Sequence, residues 1–290
     1  MRSRADLIST TAYVQGESPR LDARTGELVW VDISAGRVHR GSLADGVLTV
    51  LRDYEIGRPV GVAVPLAEAG AGWAIAVKEG FAHLAEDGTV TPLVTGLTSG
   101  RDQMNDGACH PDGSFWAGSQ ALPRAPHAAL FRLSPDGSVD TMLTGLTVAN
   151  GIDFSPDGQT LYFVDTLPHR RLEAIDLSTG TPGERRTIVE VGGGNPDGLV
   201  LDDEGCVWVA VWDASEVRRY APTGELLATV ELPVPRPTAV CFQGSTLVIT
   251  TASLGLADAP PGSGGLFAVD AGVTGPASRP WRGRCDGVGA

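Results

Sequence analysis

The sequence predicts an all-β chain folded as a six-bladed β-propeller. Each blade has four antiparallel strands, and strands from the two ends of the chain close the ring. Three observations carry this. Glycine (38 residues) and proline (20) make up about one residue in five, a density that breaks helices and suits short strands joined by tight turns. Apolar runs are short and rich in Val, Ile, Leu, Phe and Trp, as strands are. Finally, the large residue of the second strand in successive hairpins recurs at Trp30, Trp73, Trp116, Tyr162, Trp208 and Val248, with gaps of 43, 43, 46, 46 and 40 residues. A period of about 44 residues with four short strands per unit is that of a propeller blade.

The units follow one another in order. The first hairpin turns at Asp22-Ala23-Arg24-Thr25-Gly26 and rises through 27–31; the second strand of the next unit is the run at 72–77. The third and fourth turn at Pro111-Asp112-Gly113 and Pro156-Asp157-Gly158, and the fifth turns at Asp202-Asp203-Glu204-Gly205 before the run at 206–212. The sixth carries Val248, and its Pro/Gly-rich stretch at 257–265 reads as a long rim loop. Part of the first 15 residues is expected to pair with the strand at 265–270, which removes the open edges of a linear array. Seven blades would need a period of about 41 and a hairpin that is not there. A β-sandwich or several small barrels would not require so regular a period. No linker divides the chain, so one domain is expected over residues 1–290.

Charge narrows the function. The 22 basic residues against 35 acidic give a net charge of −13, and Lys78 is the one lysine. That balance argues against nucleic-acid and anionic-membrane partners and leaves a small-molecule substrate, on a monomer or weak homo-oligomer. No apolar window is long enough for a transmembrane helix, and the start of the chain lacks a secretory signal's apolar stretch. Cys109, Cys206, Cys241 and Cys285 are spaced neither as a zinc knuckle nor as a redox pair. The expectation is a cytoplasmic protein with buried thiols and no structural disulfide.

In a propeller the innermost strands start at one rim and line the axis. Residues at equal phase before the second-strand marker should therefore converge there. Glu17 lies 13 residues before its marker, Asn105 11, Asn150 12, Asp197 11 and Thr238 10, with Arg58 a looser match at 15. Asn105-Asp106-Gly107, Asn150-Gly151 and Asp197-Gly198 are each turn-like when taken singly. Together at one rim they read as a polar cluster. Hard oxygen donors with no histidine at the same phase suit Ca²⁺, Mg²⁺ or Mn²⁺, and exclude Zn²⁺ only weakly. A site with few protein ligands stays open to water and substrate, as a Lewis-acid catalyst requires.

An ordered series of motifs carries a resemblance. It runs through Gly16-Glu17-Ser18-Pro19, the segment at 28–33, Met104-Asn105-Asp106-Gly107 with 111–118, and 149–158 with 161–166. It ends with Asn195-Pro196-Asp197-Gly198-Leu199, 207–212 and 236–242. With these the chain resembles the senescence marker protein-30/gluconolactonase/luciferin-regenerating-enzyme family over residues 14–275. The resemblance implies a six-bladed propeller that hydrolyses sugar lactones with one divalent cation at the channel mouth, Ca²⁺ being the first expectation. It implies that Glu17, Asn150 and Asp197 hold the cation and that Asn105 contacts substrate. Two departures stand out. Gln103 occupies the place of a substrate-binding arginine, two positions before Asn105, and Leu21 that of a usual tryptophan. Arg101 replaces the arginine only if its side chain folds into the channel.

The reaction expected is opening of a lactone ring, a sugar (aldono) lactone first. The ion polarises the carbonyl, water attacks, and Asp197 acts as base with the low pKa of an ordinary aspartate. Asn105 positions substrate or water, Gln103 meets a ring hydroxyl, and Arg101 and His169, the latter on a rim loop, are further substrate contacts. No Gly-x-Ser-x-Gly elbow or triad-like histidine spacing supports a serine hydrolase, and His110 reads as a packing residue. The alternatives are a metal-dependent hydrolase of another ester or a phosphotriester, and a non-catalytic propeller braced by its ion. An open site in a pocket would separate the enzyme from the scaffold.

Overall fold

A computed structural model describes residues 2–285. Six antiparallel sheets stand around an axis in chain order. Blade 1 holds β3 (Gly16–Asp22), β4 (Glu27–Asp32), β5 (Arg37–Ala44) and β6 (Val47–Glu55); blade 2 holds β7 (Val60–Pro65), β8 (Trp73–Val77), β9 (Gly80–Leu84) and β10 (Val90–Val94). Blade 3 is β11 (Gln103–Cys109), β12 (Phe115–Gln120), β13 (Ala128–Leu133) and β14 (Val139–Leu146). Blade 4 is β15 (Ala149–Phe154), β16 (Thr160–Asp165), β17 (Arg171–Asp176) and β18 (Arg185–Glu190). Blade 5 is β19 (Asn195–Leu201), β20 (Val207–Trp212), β21 (Glu216–Tyr220) and β22 (Leu226–Glu231). Blade 6 takes β23 (Pro237–Gln243), β24 (Thr246–Thr251) and β25 (Phe267–Asp270) from one end of the chain and β2 (Asp6–Leu7) from the other.

The closure matches the expectation: Asp6 pairs with Ala268 and Leu7 with Phe267. The sequence did not reveal a second join. Strand β1 (Arg2–Arg4) lies parallel against the outer strand β22 and makes blade 5 five-stranded. The N-terminal segment thus ties two blades together.

All six markers fall on second strands, and packing explains their period. An apolar cluster fills each junction between neighbouring blades. Trp73 and Ile75 meet Val29 and Val31 between blades 1 and 2, Trp116 meets Ile152 and Phe154 between blades 3 and 4, and Trp208 meets Phe242 and Phe267 between blades 5 and 6. Fully burying one such side chain is worth roughly 1.5–3 kcal/mol, so each repeat must supply a large residue at the same place. Cys109, Cys206 and Cys241 are buried free thiols. Among the described residues no helix is long and apolar enough to cross a membrane.

The two ends of the channel differ. The innermost strands β3, β7, β11, β15, β19 and β23 begin at one rim, where the polar residues gather. At the opposite rim the chain's last described segment crosses the ring. Its backbone bonds Asp203 at Thr274, Gly244 at Gly275, Leu21 at Ser278, Pro65 and Ala67 at Trp281, and Gly113 at Arg282. Trp281 is 1% exposed in the core between blades 2 and 3, and Arg279 reaches Asp153 at 3.5 Å. The tail closes that end.

Candidate active site

Every innermost strand carries a β-bulge near its start: between Glu17 and Arg20, Val60 and Val62, Met104 and Gly107, Asn150 and Ile152, Pro196 and Leu199, and Pro237 and Val240. A bulge bends its strand and re-aims a side chain. Here it turns Glu17, Asn105, Asn150 and Asp197 toward one cavity of about 210 Å³ at the open rim. The glycines after these residues are not turn glycines. A Cβ on Gly151, whose φ is +31°, would lie 2.6 Å from the Asp197 carbonyl oxygen, and one on Gly198 would lie 2.4 Å from the Ala239 Cβ. Close approach of neighbouring inner strands demands them. In blade 1 the same place falls to Ser18 at φ 46°, whose N–H donates to Glu17 Oε2 at 2.9 Å and whose hydroxyl donates to Asp106 Oδ1 at 3.1 Å.

A directional chain of hydrogen bonds sets the amides. The Thr166 hydroxyl donates to the Pro196 carbonyl at 2.9 Å and accepts from Asn150 Nδ2 at 2.9 Å. Asn150 Oδ1 is thereby turned toward the axis, where it accepts from Asn105 Nδ2 at 2.6 Å. Asn105 Nδ2 also donates to the Ala149 carbonyl at 3.0 Å, and its Oδ1 accepts from Gln120 Nε2 at 3.2 Å. Arg124 Nη1 donates to Gln120 Oε1 at 2.6 Å and ends the chain. Both Asn105 donors are spent within the protein, which leaves it one acceptor lone pair.

Three carboxylates crowd beneath this layer. Glu17, Asp106 and Asp197 are only 5%, 4% and 6% exposed. Burial, then the charge of Asp106, pushes Glu17 up to about 8. Burial, then Glu17 and Asp106, holds Asp197 well above the ordinary aspartate range, with Arg124 pulling the other way. Burial also raises Asp106, although Arg20 Nη2 at 3.2 Å and the Gly107 N–H at 2.7 Å favour its charge. Asp197 and Asn195 line the cavity, and the Oδ1 atom of each is buried without a hydrogen-bond partner.

An unpartnered carboxylate oxygen beside a second buried carboxylate and an inward amide oxygen is what a hard divalent cation would satisfy. The side-chain oxygens of Glu17, Asn150 and Asp197 therefore fit the kind of cation expected from the sequence. Among the described residues no group of three or more His, Cys, Asp or Glu forms a metal cluster of its own. The set here is two carboxylates plus amide oxygen.

Other expected residues lie elsewhere. Arg101 sits in a turn in which the Asp102 N–H bonds the Ser99 carbonyl, so the chain there is not extended. Gln103 is the first residue of β11, opposite Gln120, and neither it nor Arg101 lines the cavity. His169 lines the adjoining cavity of about 770 Å³ rather than this one. Thr238 keeps the phase but stitches the ring, its hydroxyl donating to the Gly16 carbonyl at 2.6 Å. Arg58 precedes β7 and pairs with Glu79 at 3.4 Å, leaving Val60 at the bulge. His110 packs against Phe154 and bonds the Gly158 carbonyl, at the far end of β11. Phase counting missed Arg124, Gln120 and Thr166, which stand at the ends of second strands or beyond them. Asp106 and Arg20 lay beside chosen residues without being chosen.

Comparison with known proteins now bears on this geometry. Residues 15–253 match the model of the SMP-30/Gluconolactonase/LRE-like region. The chain belongs to this family. A regucalcin of Xenopus laevis is 32% identical to this member over 91% of its chain and 93% of the relative's. A 6-deoxy-6-sulfogluconolactonase of Pseudomonas putida is 35% identical over 82% and 83%. A solved structure of regucalcin from Agrobacterium tumefaciens, described as calcium-binding, superposes with a TM-score of 0.88 at 28% identity, covering 97% of this chain and 98% of the other. The family supports a hydrolase of lactonase type.

Proposed function

We propose that the protein is a divalent-metal-dependent hydrolase that opens a lactone ring, an aldonolactone being the substrate class. The observation that carries this is Asp197: a buried carboxylate with one unpartnered oxygen, facing a cavity beside Glu17 and Asn150. The lactonase among the relatives and the calcium-binding regucalcin structure support the reading. The cavity beside the carboxylates favours a catalyst over an ion-braced scaffold.

Glu17, Asn150 and Asp197 would hold the cation, Ca²⁺ first, through side-chain oxygens. When bound, a divalent cation supplies Lewis-acid polarisation of an ester carbonyl. Asp197 accepts a proton from the attacking water at the carboxylate oxygen that is not on the cation and passes it to the leaving alkoxide of the ring. In the cation-free protein burial, then Glu17 and Asp106, raise its carboxyl above the ordinary aspartate range, and a bound cation would favour the ionised form again. Asn105 holds Asn150 in place and offers its remaining lone pair to a substrate hydroxyl. Thr166 keeps the Asn150 amide oxygen inward. Gln120 and Arg124, rather than Gln103 and Arg101, supply the polar wall.

The test is a lactone panel read by proton release on metal-stripped protein, with Ca²⁺, Mg²⁺, Mn²⁺ or Zn²⁺ restored in turn. Hydrolysis that returns with the ion and is lost in Asp197→Asn at saturating ion is expected. Wild type no faster than Asp197→Asn on every substrate would reject the enzyme and leave the ion-braced propeller.

A further inference from the structure

We propose that Arg124 anchors a tetrahedral anionic group, a sulfonate or phosphate, at the end of the substrate remote from the lactone carbonyl. The proposal rests on the lactonase reading and names its substrate class. Arg124 and Leu167 line both the 210 Å³ cavity of the carboxylates and the adjoining 770 Å³ cavity, so a ligand spanning the two must pass the guanidinium.

Arg124 is unlike the other charges there. Among the described residues it has no carboxylate within ion-pair distance; its acceptors are Gln120 Oε1 at 2.6 Å and the Ala121 carbonyl at 3.5 Å, both met by Nη1. Nε and Nη2 have no acceptor among the described residues, and a planar guanidinium edge suits bidentate binding of such an oxyanion. The acids of the outer cavity are already engaged. Asp165 accepts from the Thr147 and Val148 N–H groups, and Glu173 is paired with Arg185. Arg171 is paired with Glu190. The outer cavity is lined by Arg124, Arg171 and Arg185 against Asp165 and Glu173, an excess of one positive charge, whereas the inner cavity is walled by Glu17 and Asp197. A substrate neutral at its reacting end and anionic at its far end matches that polarity. A protein of net charge −13 repels anions at long range, so a local cationic anchor is needed to hold one.

The test compares kcat/KM for glucono-1,5-lactone with that for its 6-phospho and 6-sulfo counterparts at saturating Ca²⁺. Wild type, Arg124→Gln and Arg124→Lys are measured. Arg124→Gln keeps a donor for Gln120 but removes the charge. Wild type should favour at least one anionic lactone by tenfold or more, and the two anionic arms show which oxyanion fits. Arg124→Gln should lower the anionic-to-neutral ratio by about tenfold or more, the scale of a charge-assisted hydrogen bond, and Arg124→Lys should restore part of it. A wild-type ratio of one or less, or a ratio that Arg124→Gln leaves within threefold, overturns the proposal. If wild type hydrolyses no lactone, the lactonase reading fails, and calorimetry with 6-phosphogluconate against gluconate decides the anchor by itself. Tighter binding of the phosphate that Arg124→Gln abolishes sustains the anchor; equal affinities reject it.

Discussion

Asp197→Asn should make the cation-free protein more stable while destroying its response to cation. The substitution keeps the side-chain volume and one carbonyl oxygen and removes a charge from a 6% exposed position. Asp197 ordinarily ionises near 3.8, and burial with Glu17 and Asp106 nearby holds it well above that value. Keeping such a group protonated costs about 1.4 kcal/mol for each pH unit above its unfolded pKa. The cost is then roughly 1–2 kcal/mol at pH 5 and rises further with pH until the buried group ionises. Asparagine does not incur it. For a chain of this size each kcal/mol moves Tm by roughly 2–4 °C, so a gain of several degrees is expected at pH 8 and a small one at pH 5. Scanning calorimetry at both pH values, in chelator and in excess Ca²⁺, reads it. Wild type should gain Tm from Ca²⁺ and the variant little. A variant less stable than wild type in chelator, or one that Ca²⁺ stabilises as much as wild type, would refute the reasoning.

Three further outcomes follow from the same geometry. Glu17 is pushed from 4.5 to about 8, so the folded state binds its proton more tightly than the unfolded state; the stability this gives is complete below about 4.5 and is lost as pH rises through about 8. Denaturant melts of cation-free protein should weaken across that window by up to ~1.4 kcal/mol per pH unit for this group, and excess Ca²⁺ should flatten the slope. Thr166→Val leaves Asn150 Nδ2 and the Pro196 carbonyl unpaired and frees the amide to turn; calorimetric titration should show Ca²⁺ affinity about 10- to 100-fold weaker, and unchanged affinity would remove Thr166 from the site. Trp281→Ala should cost about 3–5 kcal/mol by denaturant melt, because the indole fills the core between blades 2 and 3; a loss under 1 kcal/mol would mean that the tail does not brace the ring.

The repeat was legible because inter-blade packing imposes it. Trp30, Trp116 and Trp208 are each 2% exposed or less, and the junctions they fill recur once per blade. The site was legible for a related reason. The bulge that turns Glu17, Asn105, Asn150 and Asp197 inward occurs in every inner strand, so equal phase meant equal direction. Loop-length variation blurred the count, and in blade 2 it pointed to Arg58 when the bulge lay at Val60. Residues outside the inner strands have no such period. Arg124 follows β12 by an irregular loop, and Thr166 follows β16, so only the folded chain brings them to the cavity. Arg101 stands in a turn before β11 and does not line the cavity, and nothing periodic in the sequence marks that turn. The crossing of the ring by 274–282 rests on scattered backbone bonds that leave no pattern in the sequence.

The central claim is that Glu17, Asn150 and Asp197 together hold one divalent cation. Anomalous diffraction from a Mn²⁺-loaded crystal tests it most directly, since the ion is located without reference to activity. The account predicts one dominant peak at the open rim, within about 2.0–2.6 Å of a side-chain oxygen from each of the three residues, the range of hard-cation contacts. A dominant peak elsewhere, or one that any of the three fails to reach, would contradict it.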